Sequence, residues 1–69
     1  MINPQVDRFG NRKWLNSKGQ LHRENGPAYE SFDGNKWWYQ NGLKHREDGP
    51  AILWCDGSDS WFINGKQIL

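Results

Sequence analysis

Asn41-Gly42-Leu43-Lys44-His45-Arg46-Glu47-Asp48-Gly49-Pro50-Ala51, followed by Asp56-Gly57, decides the fold because it has a near copy upstream. Gly19-Gln20-Leu21-His22-Arg23-Glu24-Asn25-Gly26-Pro27-Ala28 shares its His-Arg-Glu-x-Gly-Pro-Ala core, and Asp33-Gly34 follows at the same distance. His22 to His45, Gly26 to Gly49 and Gly34 to Gly57 are each 23 residues apart. The period persists downstream, where Trp38 maps to Trp61 and Asn41-Gly42 to Asn64-Gly65. A fixed period of this length marks a repeat protein, each unit one supersecondary element stacked on the next. Roughly two and a half units fit, at about 5–26, 27–49 and 50–69.

Working outward, every segment between the copies reads as β. Gly, Asn, Asp and Pro punctuate the chain, and no window holds a 3.6-residue period. The fold class expected is all-β, an antiparallel meander of β-hairpin repeats in one small domain. Residues 1–4 are read as loose. Strands are expected at Gln5 to Phe9, Arg12 to Asn16, Ala28 to Phe32, Asn35 to Gln40, Ala51 to Cys55, Ser58 to Ile63 and Lys66 to Leu69. Trp14 lies 24 residues before Trp38, so the turn at Ser17-Lys18-Gly19 is expected to be one residue longer than that at Asn41-Gly42. Pro27 and Pro50 suit strand starts, where no ladder donor is needed.

Register follows from the turns. Asp33-Gly34 and Asp56-Gly57 are read as two-residue type I′ connections. They pair Tyr29 with Trp38, Ser31 with Lys36, Ile52 with Trp61 and Trp54 with Asp59. One face then collects Tyr29, Trp38, Ile52, Trp54, Trp61 and Ile63. The other collects Ala28, Phe32, Trp37, Tyr39, Ala51, Leu53, Cys55 and Phe62. A single sheet of this size buries one face well and leaves aromatic surface on the other for a partner.

The spacing Trp-Tyr-x-Asn-Gly-x-x-His-Arg-x-x-Gly-Pro-Ala-x-x-x-x-Asp-Gly over residues 38–57 resembles the MORN-type repeat, in the His-Arg-x-x-Gly-Pro-Ala variant found in phages, giant viruses and some bacteria. The resemblance covers residues 10–65. It implies β-hairpin arrays that serve as protein- or lipid-binding scaffolds and carry no catalytic residues.

Composition narrows the function. Only 35% of the 69 residues are hydrophobic, yet five are Trp, three Phe and two Tyr, so a few large rings must supply most of the burial. Formal net charge is +1 with both signs interspersed, which argues against a polyanion-binding arm. A lone cysteine, Cys55, excludes an intrachain disulfide and suits a reducing compartment. No run approaches the ~18 apolar residues of a membrane span. The expected setting is cytoplasmic, the host cytoplasm if the source is viral.

The repeated polar residues carry no expected chemistry. Equivalent positions on units two strands wide lie about 10 Å apart. That is too far for His22 and His45 to share a zinc at about 2.0–2.1 Å. An acid–base pair needs two different environments, whereas the His-Arg-Glu set recurs unchanged. No enzyme, cofactor or metal is expected. His22, His45, Glu24 and Glu47 are read as structural, with His and Arg stacking on Trp or Tyr rings and bonding the loops between units. Gly34, Gly57 and the spine Trp14, Trp38 and Trp61 belong to the same repeat framework. Trp37 and Trp54 break the repeat and, on opposite faces in this register, are the better binding candidates, joined by Tyr39, Arg23 and Arg46. The expected function is a small protein-binding module, such as a phage-type inhibitor of a host protein, with a homodimer through the open sheet edge as a further association. The alternative is a single-stranded nucleic-acid binder that uses Trp and Tyr as stacking platforms and Arg8, Arg12, Lys13 and Lys18 as guides.

Overall fold

A computed structural model describes residues 4–68, so Leu69 and the start of the chain at residues 1–3 lie outside the described residues. The described residues hold ten two-residue strands and no helix, in a slab of 32 × 27 × 15 Å. They are β1 (Gln5–Val6), β2 (Arg12–Lys13), β3 (Tyr29–Glu30), β4 (Lys36–Trp37), β5 (Tyr39–Gln40), β6 (Leu43–Lys44), β7 (Ile52–Leu53), β8 (Asp59–Ser60), β9 (Phe62–Ile63) and β10 (Lys66–Gln67). Six form one sheet in the order β1-β2-β3-β4-β7-β8, and the rest form two hairpins, β5-β6 and β9-β10. All pairings are antiparallel. The fold is an all-β array of hairpins, with the expected strands Arg12 to Asn16, Asn35 to Gln40 and Ser58 to Ile63 each broken at tryptophan. Lys36–Trp37 belongs to the main sheet, and Tyr39–Gln40, beyond Trp38, to a side hairpin.

Two kinds of turn build each unit. Asn41 and Gly42 both have positive φ (50° and 83°), as do Asn64 and Gly65, so these are the two-residue I′ turns that the Asn-Gly pairs suggest. The Asp-Gly turns differ. Only Gly34 (φ 101°) and Gly57 (φ 92°) are left-handed, not Asp33 or Asp56. Gly34 N–H donates to Ser31 C=O and Ser31 N–H to Asn35 C=O, which is a type I turn closed by a glycine bulge. Side chains hold it: Ser31 Oγ bonds the Asp33 carboxylate and accepts from Asn35 N–H.

That extra residue moves the register by one. Tyr29 faces Trp37 rather than Trp38, and Glu30 rather than Ser31 faces Lys36. Ile52 faces Ser60 rather than Trp61, and Leu53 rather than Trp54 faces Asp59. A one-residue slip sends every side chain to the other face. One row across the sheet reads Gln5, Lys13, Tyr29, Trp37, Ile52, Ser60, and the other Val6, Arg12, Glu30, Lys36, Leu53, Asp59. Trp37 therefore shares a face with Tyr29 and Ile52, and Trp54 meets it there, so these two tryptophans are not on opposite faces.

Burial is thin, and it sits at the junctions between units. Ala28 and Ala51 are fully buried and Ile52 nearly so. Ala28 C=O accepts from Trp14 N–H and Ala51 C=O from Trp38 N–H, so each alanine sits where one unit meets the next. At the far end of the hairpins, Asn11 Oδ1 accepts from Phe32 N–H and Asn35 Oδ1 from Cys55 N–H. Backbone and side-chain bonds between units thus supplement a small apolar core.

Candidate functional site

The His-Arg-x-x-Gly-Pro-Ala connector is a joint. His22 Nδ1 accepts from Asn41 N–H at 3.0 Å, and His45 Nδ1 from Asn64 N–H at 3.0 Å. An acceptor Nδ1 requires the neutral ring with its proton on Nε2. That Nε2 points to Glu24 at 3.8 Å and Glu47 at 3.4 Å, both exposed carboxylates. Arg23 lies 3.8 Å from the Trp14 ring centroid and Arg46 3.9 Å from that of Trp38, the stacked geometry in which a guanidinium meets the negative face of an indole. Each Arg also donates from Nη1 to a proline carbonyl at 3.1 Å, Arg23 to Pro27 and Arg46 to Pro50. Gly26 and Gly49 leave room for the guanidinium. The next turn closes the joint, with Gly42 N–H bonding Leu21 C=O and Gly65 N–H bonding Lys44 C=O.

A groove of about 880 Å³ runs between the two connectors, lined among others by Arg23, Glu24, Trp38, His45, Glu47 and Asp48. Its two arginines are engaged, Arg23 near Glu30 at 3.9 Å and Arg46 bonded to Asp48 at 3.2 Å. The rim carboxylates are exposed but partnered, Glu24 and Glu47 by the two histidines and Asp48 by Arg46. Among the described residues, no three His, Cys, Asp or Glu side chains gather into a group that could hold a metal.

The aromatic face offers more. Tyr29 and Trp37 stack at 4.9 Å, and Trp54 meets Trp37 edge-on at 5.7 Å. Trp54 is 39% exposed. Trp37 Nε1 is buried with no partner among the described residues, a donor that costs free energy where it stands. Tyr39 lies beyond Trp37, opposite Lys44 in its own hairpin, and burial pushes its hydroxyl pKa up. Lys44 sits 4.8 Å from the Phe62 ring centroid. The row through these rings carries Lys13 and no carboxylate, whereas the opposite row carries Arg12, Glu30, Lys36 and Asp59.

Trp37 and Trp54 thus meet on one face, Arg23 and Arg46 belong to the connectors, and Tyr39 lies in the β5-β6 hairpin, where its C=O accepts from Arg23 N–H. Sequence reasoning left out Tyr29 as a binding residue, because the slipped register set it beside Trp38. It also missed Phe32, which is 69% exposed at a hairpin tip. The signal was present, since Arg8 and Cys55 stand at the equivalent turn positions and Phe32 breaks the repeat there. No protein-family model, curated protein or solved structure matches the chain.

Proposed function

We propose that this chain is a small non-enzymatic protein-binding module, built from MORN-type repeats, that engages its partner through Tyr29, Trp37 and Trp54. The observation that carries the reading is the ring cluster itself. Large aromatic side chains lie in contact, with Trp54 exposed, on a row that holds no carboxylate. Interfaces draw most of their affinity from such rings. The connectors support the non-enzymatic half, since both His and both Arg side chains are spent on joining units. A host-cell protein is the partner that this repeat type suggests. The test is capture from host lysate with mass spectrometry, comparing the native chain with Trp54→Ser and with Lys36→Ser on the opposite face. A protein held by the native chain and Lys36→Ser but lost by Trp54→Ser supports the reading. A capture profile indifferent to Trp54→Ser overturns it.

Lys13 on the ring-bearing row favours a second reading, single-stranded nucleic acid stacked on the same rings. Tryptophan quenching by an oligonucleotide that weakens steeply with salt supports that reading, and none at about 150 mM salt dismisses it.

A further inference from the structure

The two edges of the six-stranded sheet are β1 and β8, and they are complementary. Within the chain, units join by one repeated contact: the second strand of a unit pairs with the first strand of the next. β2 meets β3 with Arg12 opposite Glu30 and Lys13 opposite Tyr29, and β4 meets β7 with Lys36 opposite Leu53 and Trp37 opposite Ile52. Each junction carries the same further bond, Trp14 N–H to Ala28 C=O at 2.8 Å and Trp38 N–H to Ala51 C=O at 2.7 Å. Among the described residues, β8 is a second strand with no successor in the sheet, and β1 is a first strand with no predecessor. Trp61 N–H is the equivalent donor, and it has no acceptor among the described residues. Pro4 C=O is the equivalent acceptor, one residue before β1 as Ala28 precedes β3 and Ala51 precedes β7.

We propose that the chain associates with itself head to tail, β8 of one copy pairing with β1 of the next. The in-chain junctions dictate the register: Asp59 opposite Val6, Ser60 opposite Gln5, and Trp61 N–H donating to Pro4 C=O. Charge agrees with it. The polar row reads Arg12, Glu30, Lys36, Leu53, Asp59, and a second copy continues it with Val6 and then Arg12, so Asp59 gains a cation about 10 Å away and meets no like charge. A symmetric pairing of β8 with β8 instead brings two Asp59 carboxylates onto neighbouring strands. Because the two edges differ, the contact is heterologous and does not close at two copies.

Light scattering over a concentration series tests this. The expected result is a mean mass that climbs past twice the monomer without a plateau. Val6→Glu, whose carboxylate can pair in-chain with Arg12, sets like charges across the junction and should weaken association at least tenfold. Adding Asp59→Lys to that variant should restore it. Exchange of the Trp61 amide, followed by NMR, gives a readout free of any substitution, and its protection should rise with concentration. A chain that stays monomeric, or reaches a plateau at the dimer, overturns the proposal. So does a mass curve unmoved by Val6→Glu, or a Trp61 amide equally exposed at every concentration.

Discussion

Gly49 lies so close to Arg46 that a Cβ there would come within 2.7 Å of the guanidinium carbon. Its φ is not left-handed, so the requirement for glycine is one of space and not of backbone strain. The equivalent clearance at Gly26 is 3.2 Å from Arg23. Gly49→Ala must therefore shift the guanidinium of Arg46 on Trp38, at a cost bounded by that cation–π contact, about 0.5–2 kcal/mol. Gly26→Ala should cost less. Urea denaturation of the two variants checks the order, and equal midpoints would count against the stacked geometry.

Gly57 is the opposite case. A Cβ there meets nothing within 4 Å, but its φ is +92°. Gly57→Val should cost more than about 1 kcal/mol from backbone strain alone, since β-branched residues resist positive φ. An unchanged melting temperature would remove the turn assignment.

His45→Phe tests the joint. Phenylalanine keeps the ring but has no acceptor for Asn64 N–H, now bonded at 3.0 Å. Because Asn64 is exposed, water can replace the bond, and the loss should fall near the 0.5–1.5 kcal/mol of an ordinary hydrogen bond. Faster exchange of the Asn64 amide, with the Gly34 amide unmoved, is the accompanying signature.

Acid should loosen the hairpin tips. The Asn11 side chain, with backbone N–H groups of Phe9 and Asn11, holds the Asp7 carboxyl below its ordinary 3.8. The Ser58 hydroxyl and N–H do the same for Asp56. A carboxyl whose folded pKa is depressed contributes stability above its unfolded pKa and loses it as pH falls through the folded value. Melting temperature should therefore decline below about pH 4, near the unperturbed Asp value. Asp7→Ala with Asp56→Ala should flatten that decline, and parallel curves would contradict it.

The period, the all-β class and the Asn-Gly turns were legible because each rests on a local rule: a spacing, a lack of helical pattern, a dipeptide that tolerates positive φ twice. The Asp-Gly turns were not, because that dipeptide serves two geometries. The longer loop is closed at Asp33 by the bonds of Ser31 and Asn35, and at Asp56 by those of Ser58. From that one residue the error spread to both faces. Trp37 and Trp54 stood out as exceptions to the repeat, but their contact with each other did not, since it crosses strands whose register was one step off. The repeat suggests arginines stacked on Trp or Tyr rings, but the chain alone does not reveal which ring each one meets, nor that a glycine three residues on makes room for the guanidinium.

Each joint reaches from one unit only to its successor: His22 to Asn41, and His45 to Asn64. Remove residues 24–46, and Arg23 runs directly into Glu47-Asp48-Gly49-Pro50-Ala51, a seam with the chemistry of the original. His22 then faces Asn64 across the same spacing that His45 did. The molecule can thus be shortened or lengthened in steps of one whole period without composing a new boundary. Slippage during replication of the underlying tandem sequence would yield further members of the same architecture rather than wreckage.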